Sequence, residues 1–218
     1  MTSTPSTSPR DAATGNTGED FRTKYVKTNF ITRRLLAGFF GGIGELLGEP
    51  GVRDVRTAIE VGCGEGFSTQ KLHELLPREC ALRASDVEQR LVDEARGNNP
   101  GIPIERESIY ELPHADNSFD VVFVMEVLEH LEDPARALDE VCRISKRWVI
   151  ASVPREPIWR VMNFARLKYV SALGNTPGHL NHWSANAFRT FVNDKAAVRA
   201  RRTPLPWTMV LAEKTNRA

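Results

Sequence analysis

Apolar residues along the chain fall into short continuous runs that alternate with longer segments of helical period. Turn residues bound the apolar runs, which is typical of strands in a sheet covered on both faces. The predicted strands are Thr57–Val61, Cys80–Ser85, Ile102–Glu105, Phe119–Met125, Trp148–Val153, Ala197–Arg202 and Trp207–Ala212. The predicted helices between and after them are Phe67–Leu76, Val87–Arg96, Pro134–Ser145, Ile158–Leu173 and Ala185–Phe191. This alternation predicts an α/β fold with a doubly wound, mostly parallel sheet of about seven strands and an antiparallel last strand.

The whole chain divides into three parts, of which the third contains this alternation. Residues 1–20 are rich in Ser, Thr, Pro and Gly, and we expect a disordered tail. Residues 21–50 form a helical cap, in which the glycines at 38, 41, 42 and 44 predict a break or two helices. The cap can serve as a mobile lid, pack on the sheet edge or mediate a dimer. Residues 51–218 form the main domain, with an insertion at about 154–183.

Composition narrows the class of protein. Apolar residues make up 41% and charged residues 26% of the 218-residue chain, as in ordinary globular proteins. The net charge of +1 disfavours a nucleic-acid partner. The three cysteines are widely spaced, which fits a reducing cytoplasm, and no apolar run reaches the roughly 20 residues of a membrane span. We expect a cytoplasmic protein, either a monomer or a homodimer.

Three glycines directly after the first strand predict a ligand-binding turn. Gly62, Gly64 and Gly66 lie between that strand and a helix, where glycine permits a tight turn and close approach of a ligand to the backbone. Asp86 ends the next strand and can accept hydrogen bonds from both hydroxyls of a ribose. Phe67 occupies the position where a dinucleotide-binding turn needs its third glycine. Glu60 would repel a pyrophosphate but attract a cationic amino-acid group.

These stretches resemble the class I S-adenosylmethionine-dependent methyltransferases, specifically the small-molecule branch of the ubiquinone-biosynthesis type. The resemblance covers about Thr57–Val153. The matching stretches are Glu60–Gly66, Ser108–Pro113, Asn117–Val122 and Glu126–Leu131. It implies a Rossmann-like fold, S-adenosylmethionine as cofactor and a small-molecule substrate.

The resemblance also implies roles for individual residues. Gly62, Cys63, Gly64 and Gly66 would face the methionine part of the cofactor, together with Glu60 and Glu126. Asp86 would hold the ribose, Val87 would flank the adenine, and Ser108 and Ile109 would reach the adenine edge. Relatives usually carry Asp where Ser108 stands, although a serine hydroxyl can still accept a bond from the adenine amino group.

Histidines are the candidate catalytic groups, because a hydroxyl acceptor must lose a proton near neutral pH. His130 follows the fourth strand, while His179 and His182 lie in the insertion. Each has an alternative, purely structural interpretation in which it fixes a loop or turn. We predict no metal, because no carboxylate or thiol has a spacing that matches the two histidines of the insertion.

The insertion is the candidate substrate-recognition segment, because ligands of open parallel sheets bind at the carboxyl ends of the strands. Its candidate substrate contacts are Arg155, Trp159, Arg160 and His182. Trp159 can wall an apolar pocket or belong to the core. The leading hypothesis is methyl transfer to oxygen, nitrogen or carbon of a small molecule. The alternatives are an RNA or protein methyltransferase, and a cofactor-binding regulatory module without turnover.

Overall fold

The computed structural model describes residues 30–165 and 178–215. Its helices are α1 (Phe30–Leu47), α2 (Phe67–Leu75), α3 (Gln89–Asn98), α4 (Pro134–Ile144), α5 (Ile158–Ala165) and α6 (Ala185–Asn193), with a 3₁₀ helix at Leu128–His130. Its strands are β1 (Thr57–Val61), β2 (Ala81–Asp86), β3 (Ile104–Arg106), β4 (Phe119–Met125), β5 (Ser145–Pro154), β6 (Ala196–Arg202) and β7 (Trp207–Lys214). Within these ranges, no helix is both long and apolar enough to cross a membrane.

The seven strands form one sheet in the order β3-β2-β1-β4-β5-β7-β6. Strands β1 to β5 pair in parallel, and β7 is antiparallel to both β5 and β6. The predicted fold class, including the antiparallel last strand, is therefore confirmed. The strand order reverses between β1 and β4, and such a switch point opens a crevice at the carboxyl ends of the strands.

Helix α1 runs without interruption through its four glycines, so the predicted break is wrong. A Cβ atom at Gly42 would lie 2.8 Å from the sulfur of Met209 in β7, so this glycine allows close packing of helix on sheet. Phe39 also packs edge-on against Trp207, with the ring centroids 5.0 Å apart. Residues 30–47 therefore pack on the sheet, which agrees with the interpretation of the cap as a helix against the sheet edge.

Several predicted boundaries shift. Strand β3 is only three residues long, β5 begins three residues earlier than expected, and α3 begins two residues later. Helix α5 is described only as far as Ala165, so the remainder of the predicted helix Ile158–Leu173 lies outside the described residues. The predicted tail at residues 1–20 lies outside them as well. The division into tail, cap and main domain stays a prediction.

Candidate cofactor and acceptor site

The sheet brings the predicted cofactor residues to one edge. Strand β1 lies between β2 and β4, so the segments that follow these three strands are neighbours. The N–H groups of Gly62 and Cys63 both donate to the carbonyl oxygen of Ser85, at 2.8 and 2.9 Å. The N–H group of Glu107 donates to the carbonyl oxygen of Asp86 at 3.0 Å, so the segment after β3 lies beside the end of β2. The glycine turn thus lies at the switch point of the sheet.

The three glycines of this turn have different tasks, although all have positive φ angles, of 81°, 56° and 81° for Gly62, Gly64 and Gly66. A Cβ atom at Gly62 would lie 2.4 Å from Cγ2 of Val127, and one at Gly66 would lie 2.3 Å from Nδ2 of Asn99. These two glycines are required by the packing of the protein itself. A Cβ atom at Gly64 would meet no described atom within 4 Å, so Gly64 borders open space that a ligand can occupy.

Asp86 is fixed beside this open space. Its Oδ2 accepts a hydrogen bond from the N–H of Gly64 at 2.9 Å, and its Oδ1 accepts one from the N–H of Glu88 at 3.0 Å. Burial raises the pKa of Asp86, and these backbone bonds oppose the shift. The next side chain, Val87, is 61% exposed, which is unusual for a valine and suits an apolar flank for a ring.

Glu60 lies beneath the turn as a buried carboxyl group. The hydroxyl of Thr69, in the first turn of α2, donates to its Oε2 at 2.5 Å. Burial raises the pKa of Glu60 to about 7, against the opposing hydrogen bonds from Ser68 and Thr69. Burial likewise raises the pKa of Cys63, which keeps the thiol protonated and therefore a poor nucleophile.

In the segment after β3, Ser108 and Ile109 directly follow Glu107, whose backbone N–H donates to the carbonyl oxygen of Asp86. The Ser108 hydroxyl accepts a hydrogen bond from the N–H of Tyr110 at 3.3 Å, and Ile109 is 8% exposed. Ile109 is therefore mainly a core residue, with little surface left for a ligand.

Glu126 follows β4 with a φ of 58°, a conformation that a residue with a side chain adopts rarely and often at functional sites. Its Oε1 accepts a hydrogen bond from the Ser152 hydroxyl at 2.9 Å. Its Oε2 accepts one from the indole N–H of Trp207 at 2.8 Å. The carboxylate is held by two fixed donors at the switch point.

The donor and acceptor set of this edge fits S-adenosylmethionine. Gly64 leaves room for a ligand at the backbone, and the Asp86 carboxylate beside it suits a vicinal diol. Glu60 and Glu126 supply acidic groups for a cationic amino-acid end and a sulfonium. The individual cofactor contacts remain predictions.

The three predicted histidines lie together in the fold. The rings of His130 and His179 are 4.9 Å apart, and those of His179 and His182 are 6.4 Å apart. Trp159 stacks on His179 with centroids 6.1 Å apart and lies 6.3 Å from Trp207, whose indole bonds Glu126. The histidines are therefore linked to Glu126 through the side chains of Trp159 and Trp207.

Sequence reasoning missed two acidic partners of these histidines. The ligand atoms of Glu129, His130 and His179 lie within 4.8 Å of one another. The Oε1 atom of Glu156 lies 3.6 Å from Nδ1 of His182. The prediction of no metal was based on sequence spacing, which does not reveal that the fold brings Glu129 to His179 from a distant part of the chain. Only the Glu129–His130 neighbourhood was visible in the sequence.

The two arginines are anchored differently from the histidines. The backbone N–H of Arg155 donates to the carbonyl oxygen of Pro206 at 2.8 Å. The Nε atoms of Arg155 and Arg160 are buried and have no hydrogen-bond partner among the described residues. Such groups are costly unless a partner arrives, which is compatible with an anionic substrate group. Their role in substrate binding stays a prediction.

Comparison with known proteins agrees with this geometry. Residues 59–150 match the family described as "Methyltransferase domain". A probable S-adenosylmethionine-dependent methyltransferase of Mycolicibacterium smegmatis is 34% identical over 89 residues, which cover 41% of this chain and 34% of that protein. A ubiquinone biosynthesis O-methyltransferase of Hahella chejuensis is 33% identical over 96 residues, which cover 42% of this chain and 39% of that protein. These matches thus span little more than a third of each relative.

The fold has solved counterparts. Magnesium protoporphyrin IX methyltransferase from Synechocystis, solved with bound S-adenosylhomocysteine, superposes with a TM-score of 0.66 at 18% identity. That superposition covers 92% of this chain and 95% of the other, and at this identity it shows the fold alone. Residues 59–150 therefore match a methyltransferase domain, the relatives that match this part of the chain include S-adenosylmethionine-dependent methyltransferases, and the superposition shows that the fold is shared with such an enzyme.

Proposed function

We propose that this chain transfers a methyl group from S-adenosylmethionine to a small-molecule acceptor bound beside His130 and His179. The observation that carries the proposal is the continuity of the site. Open space at Gly64 and the Asp86 carboxylate lie at the same sheet edge as Glu126, which connects through Trp207 and Trp159 to the histidines.

The cofactor, when bound, supplies an electrophilic methyl group on a sulfonium. The protein then has three tasks. Asp86 and Gly64 orient the ribose, and Glu60 with Glu126 balances the positive charge. The aromatic side chains exclude water and align the acceptor, which contributes to the rate by removing orientational freedom. A hydroxyl acceptor must also lose its proton, and the histidines are the groups near the acceptor side that suit this task.

Three observations favour a small molecule over RNA or protein. The net charge of +1 provides no general attraction for a polyanion. The acceptor side is lined by aromatic rings, which suit burial of a compact, partly apolar compound. One relative is named for O-methylation in ubiquinone biosynthesis. We therefore favour an oxygen acceptor, and a phenol-like compound is the first choice for a screen.

The test is transfer of a labelled methyl group from S-adenosylmethionine into separate fractions of small molecules, RNA and protein. We expect label in the small-molecule fraction with the wild-type protein, and strongly reduced transfer by the Asp86→Asn variant. Label confined to RNA or protein would overturn the choice of acceptor. Cofactor binding without transfer to any fraction would favour a regulatory module.

A further inference from the structure

Three side chains with metal-binding atoms meet on the acceptor side. We call Glu129, His130 and His179 the His/Glu cluster. Their ligand atoms, one from each residue, lie within 4.8 Å of one another. Two imidazoles and one carboxylate are a ligand set that first-row divalent cations, zinc above all, take in proteins.

The backbone holds this cluster in place. The N–H groups of Leu180 and Asn181 both donate to the carbonyl oxygen of Glu129, at 2.8 and 3.0 Å. The side-chain amide of Asn181 donates to the carbonyl oxygens of Leu131 and Leu128, at 2.6 and 3.3 Å. Four hydrogen bonds therefore tie the segment of His179 to the segment of Glu129 and His130, so that the meeting of the three side chains is built into the fold.

The orientation of His130 matches that of a metal ligand. Its Nδ1 lies 3.0 Å from the carbonyl oxygen of Gly178, which can only accept a hydrogen bond, so Nδ1 carries the proton. In the neutral ring the lone pair is then on Nε2, the atom 3.9 Å from Oε1 of Glu129. Histidines that bind metals commonly donate their other N–H to a carbonyl or carboxylate in this way.

The cluster needs little movement to close around an ion. Two ligand atoms of a tetrahedral zinc site are about 3.3 Å apart, given metal–ligand distances of about 2.05 Å. The 3.9 Å separation of Glu129 and His130 is close to this value. The Glu129 side chain is only 2% exposed, and buried carboxylates are stabilised by paired cations or bound metals. The His130 side chain is 31% exposed, which leaves the cluster open to solvent on one side.

Three protein ligands leave a coordination position for an exogenous group, as in catalytic rather than structural zinc sites. Trp159 stacks on His179 and reaches Trp207, so this position lies on the side where we place the acceptor. We propose that Glu129, His130 and His179 bind one divalent first-row cation, with Zn²⁺ as the preferred ion, and leave one position open for the acceptor oxygen.

The catalytic consequence rests on the function proposed above. A hydroxyl bound to the cation gives up its proton to solvent more readily, because the metal stabilises the oxyanion. The oxygen lone pair then forms the new O–CH₃ bond while the S–CH₃ bond breaks, which leaves S-adenosylhomocysteine, the methyl ether and one proton. In this arrangement His130 and His179 are metal ligands, and neither is required as a general base.

The experiment titrates the untagged, chelator-treated 218-residue chain with Co²⁺ as a spectroscopic probe and with Zn²⁺ by calorimetry. We expect one ion per chain, a visible Co²⁺ spectrum with two nitrogen ligands, and a change in that spectrum when azide enters the open position. Glu129→Gln and His179→Gln should weaken binding by about 100-fold or more, since loss of an outer-shell partner alone costs about 10–100-fold. His73→Gln, at an exposed histidine of α2, is the matched control and should bind like wild type.

Absence of stoichiometric binding, or equal binding by Glu129→Gln and wild type, would overturn the metal site. Binding without any response to azide would overturn the open position. Each variant is also titrated with S-adenosylhomocysteine, which reports folding and the cofactor site independently. Normal S-adenosylhomocysteine binding without metal binding rejects this inference and leaves the methyltransferase proposal standing. Metal binding without S-adenosylhomocysteine binding rejects the proposed function alone.

Discussion

Replacing Glu60 by glutamine tests the electrostatics of the cofactor turn. Glu60 is fully buried, and burial raises the pKa of its carboxyl group from 4.5 to about 7. A raised pKa means that the folded protein binds a proton more tightly than the unfolded chain does. Below pH 4.5 the carboxyl group is protonated in both states, and burying it carries no ionisation penalty. As the pH rises from 4.5 towards 7, the group ionises in the unfolded chain but not in the folded protein, so the free energy of unfolding decreases. Glutamine keeps an oxygen that can accept from Thr69 at 2.5 Å but never ionises.

The size of the effect follows from these two pKa values. The penalty for ionising Glu60 in the folded protein is about 1 kcal/mol at pH 5 and about 3 kcal/mol at pH 8. The stability of Glu60→Gln relative to wild type should therefore increase by about 2.5 kcal/mol between these two pH values. A constant difference in packing or hydrogen bonding between the two proteins cancels in this comparison.

The assay is urea unfolding followed by circular dichroism at pH 5 and pH 8. Glu74→Gln is the control, since Glu74 lies on α2, the helix that carries Thr69, and its side chain is 54% exposed. We expect the stability difference between Glu74→Gln and wild type to change by less than about 0.5 kcal/mol with pH. If the Glu60→Gln difference is the same at both pH values, the buried carboxyl group does not titrate as reasoned here.

The ionisation of Glu60 should also make the affinity for S-adenosylhomocysteine depend on pH. If the ionised Glu60 attracts the cationic end of the cofactor, S-adenosylhomocysteine should bind wild type about tenfold more weakly at pH 6 than at pH 8, given a pKa of about 7. Glu60→Gln should lose this dependence and bind weakly at both. If the affinity of Glu60→Gln still changes tenfold between pH 6 and pH 8, a group other than Glu60 causes the pH dependence.

Further predictions separate the glycines of the turn. Gly64→Ala should cost only about 1 kcal/mol of stability, from the strain of a positive φ, but should weaken S-adenosylhomocysteine binding by at least about tenfold, because the methyl group enters the open space. Gly66→Ala should destabilise the protein by about 3 kcal/mol or more in urea unfolding, because its Cβ collides with Asn99. Gly97→Ala, in α3 with no described atom within 4 Å of a Cβ, should stabilise it by about 0.5–1 kcal/mol. Equal behaviour of Gly64→Ala and Gly66→Ala in both assays would contradict their different roles.

Strand positions could be predicted from sequence where the pattern is local. Strands β1 and β4 have the predicted bounds because both are mostly apolar, buried on both faces and bounded by turn residues. The continuity of α1 could not be predicted, since Gly42 is required by contact with Met209, far along the chain. The glycine breaks the pattern of the helix in sequence but improves its packing in the fold.

The candidate site also contains features that the sequence predicts and features that only the fold reveals. Glu60, Gly64 and Asp86 were predictable together, because parallel neighbouring strands end at one edge of the sheet. The distinct roles of Gly62 and Gly66 were not, because they depend on Val127 and Asn99. The His/Glu cluster was not predictable either, because the hydrogen bonds that join residues 128–131 to residues 178–181 span about fifty residues of sequence.

Calorimetry with S-adenosylhomocysteine tests the cofactor site most directly. The wild-type chain should bind one molecule of S-adenosylhomocysteine, and Asp86→Asn should bind it about 10- to 100-fold more weakly, because the charged acceptor of both ribose hydroxyls is lost. Asp93→Asn, at an exposed carboxylate of α3, should bind like wild type. No binding by wild type, or equal binding by wild type and Asp86→Asn, would contradict the assignment of this edge as the cofactor site.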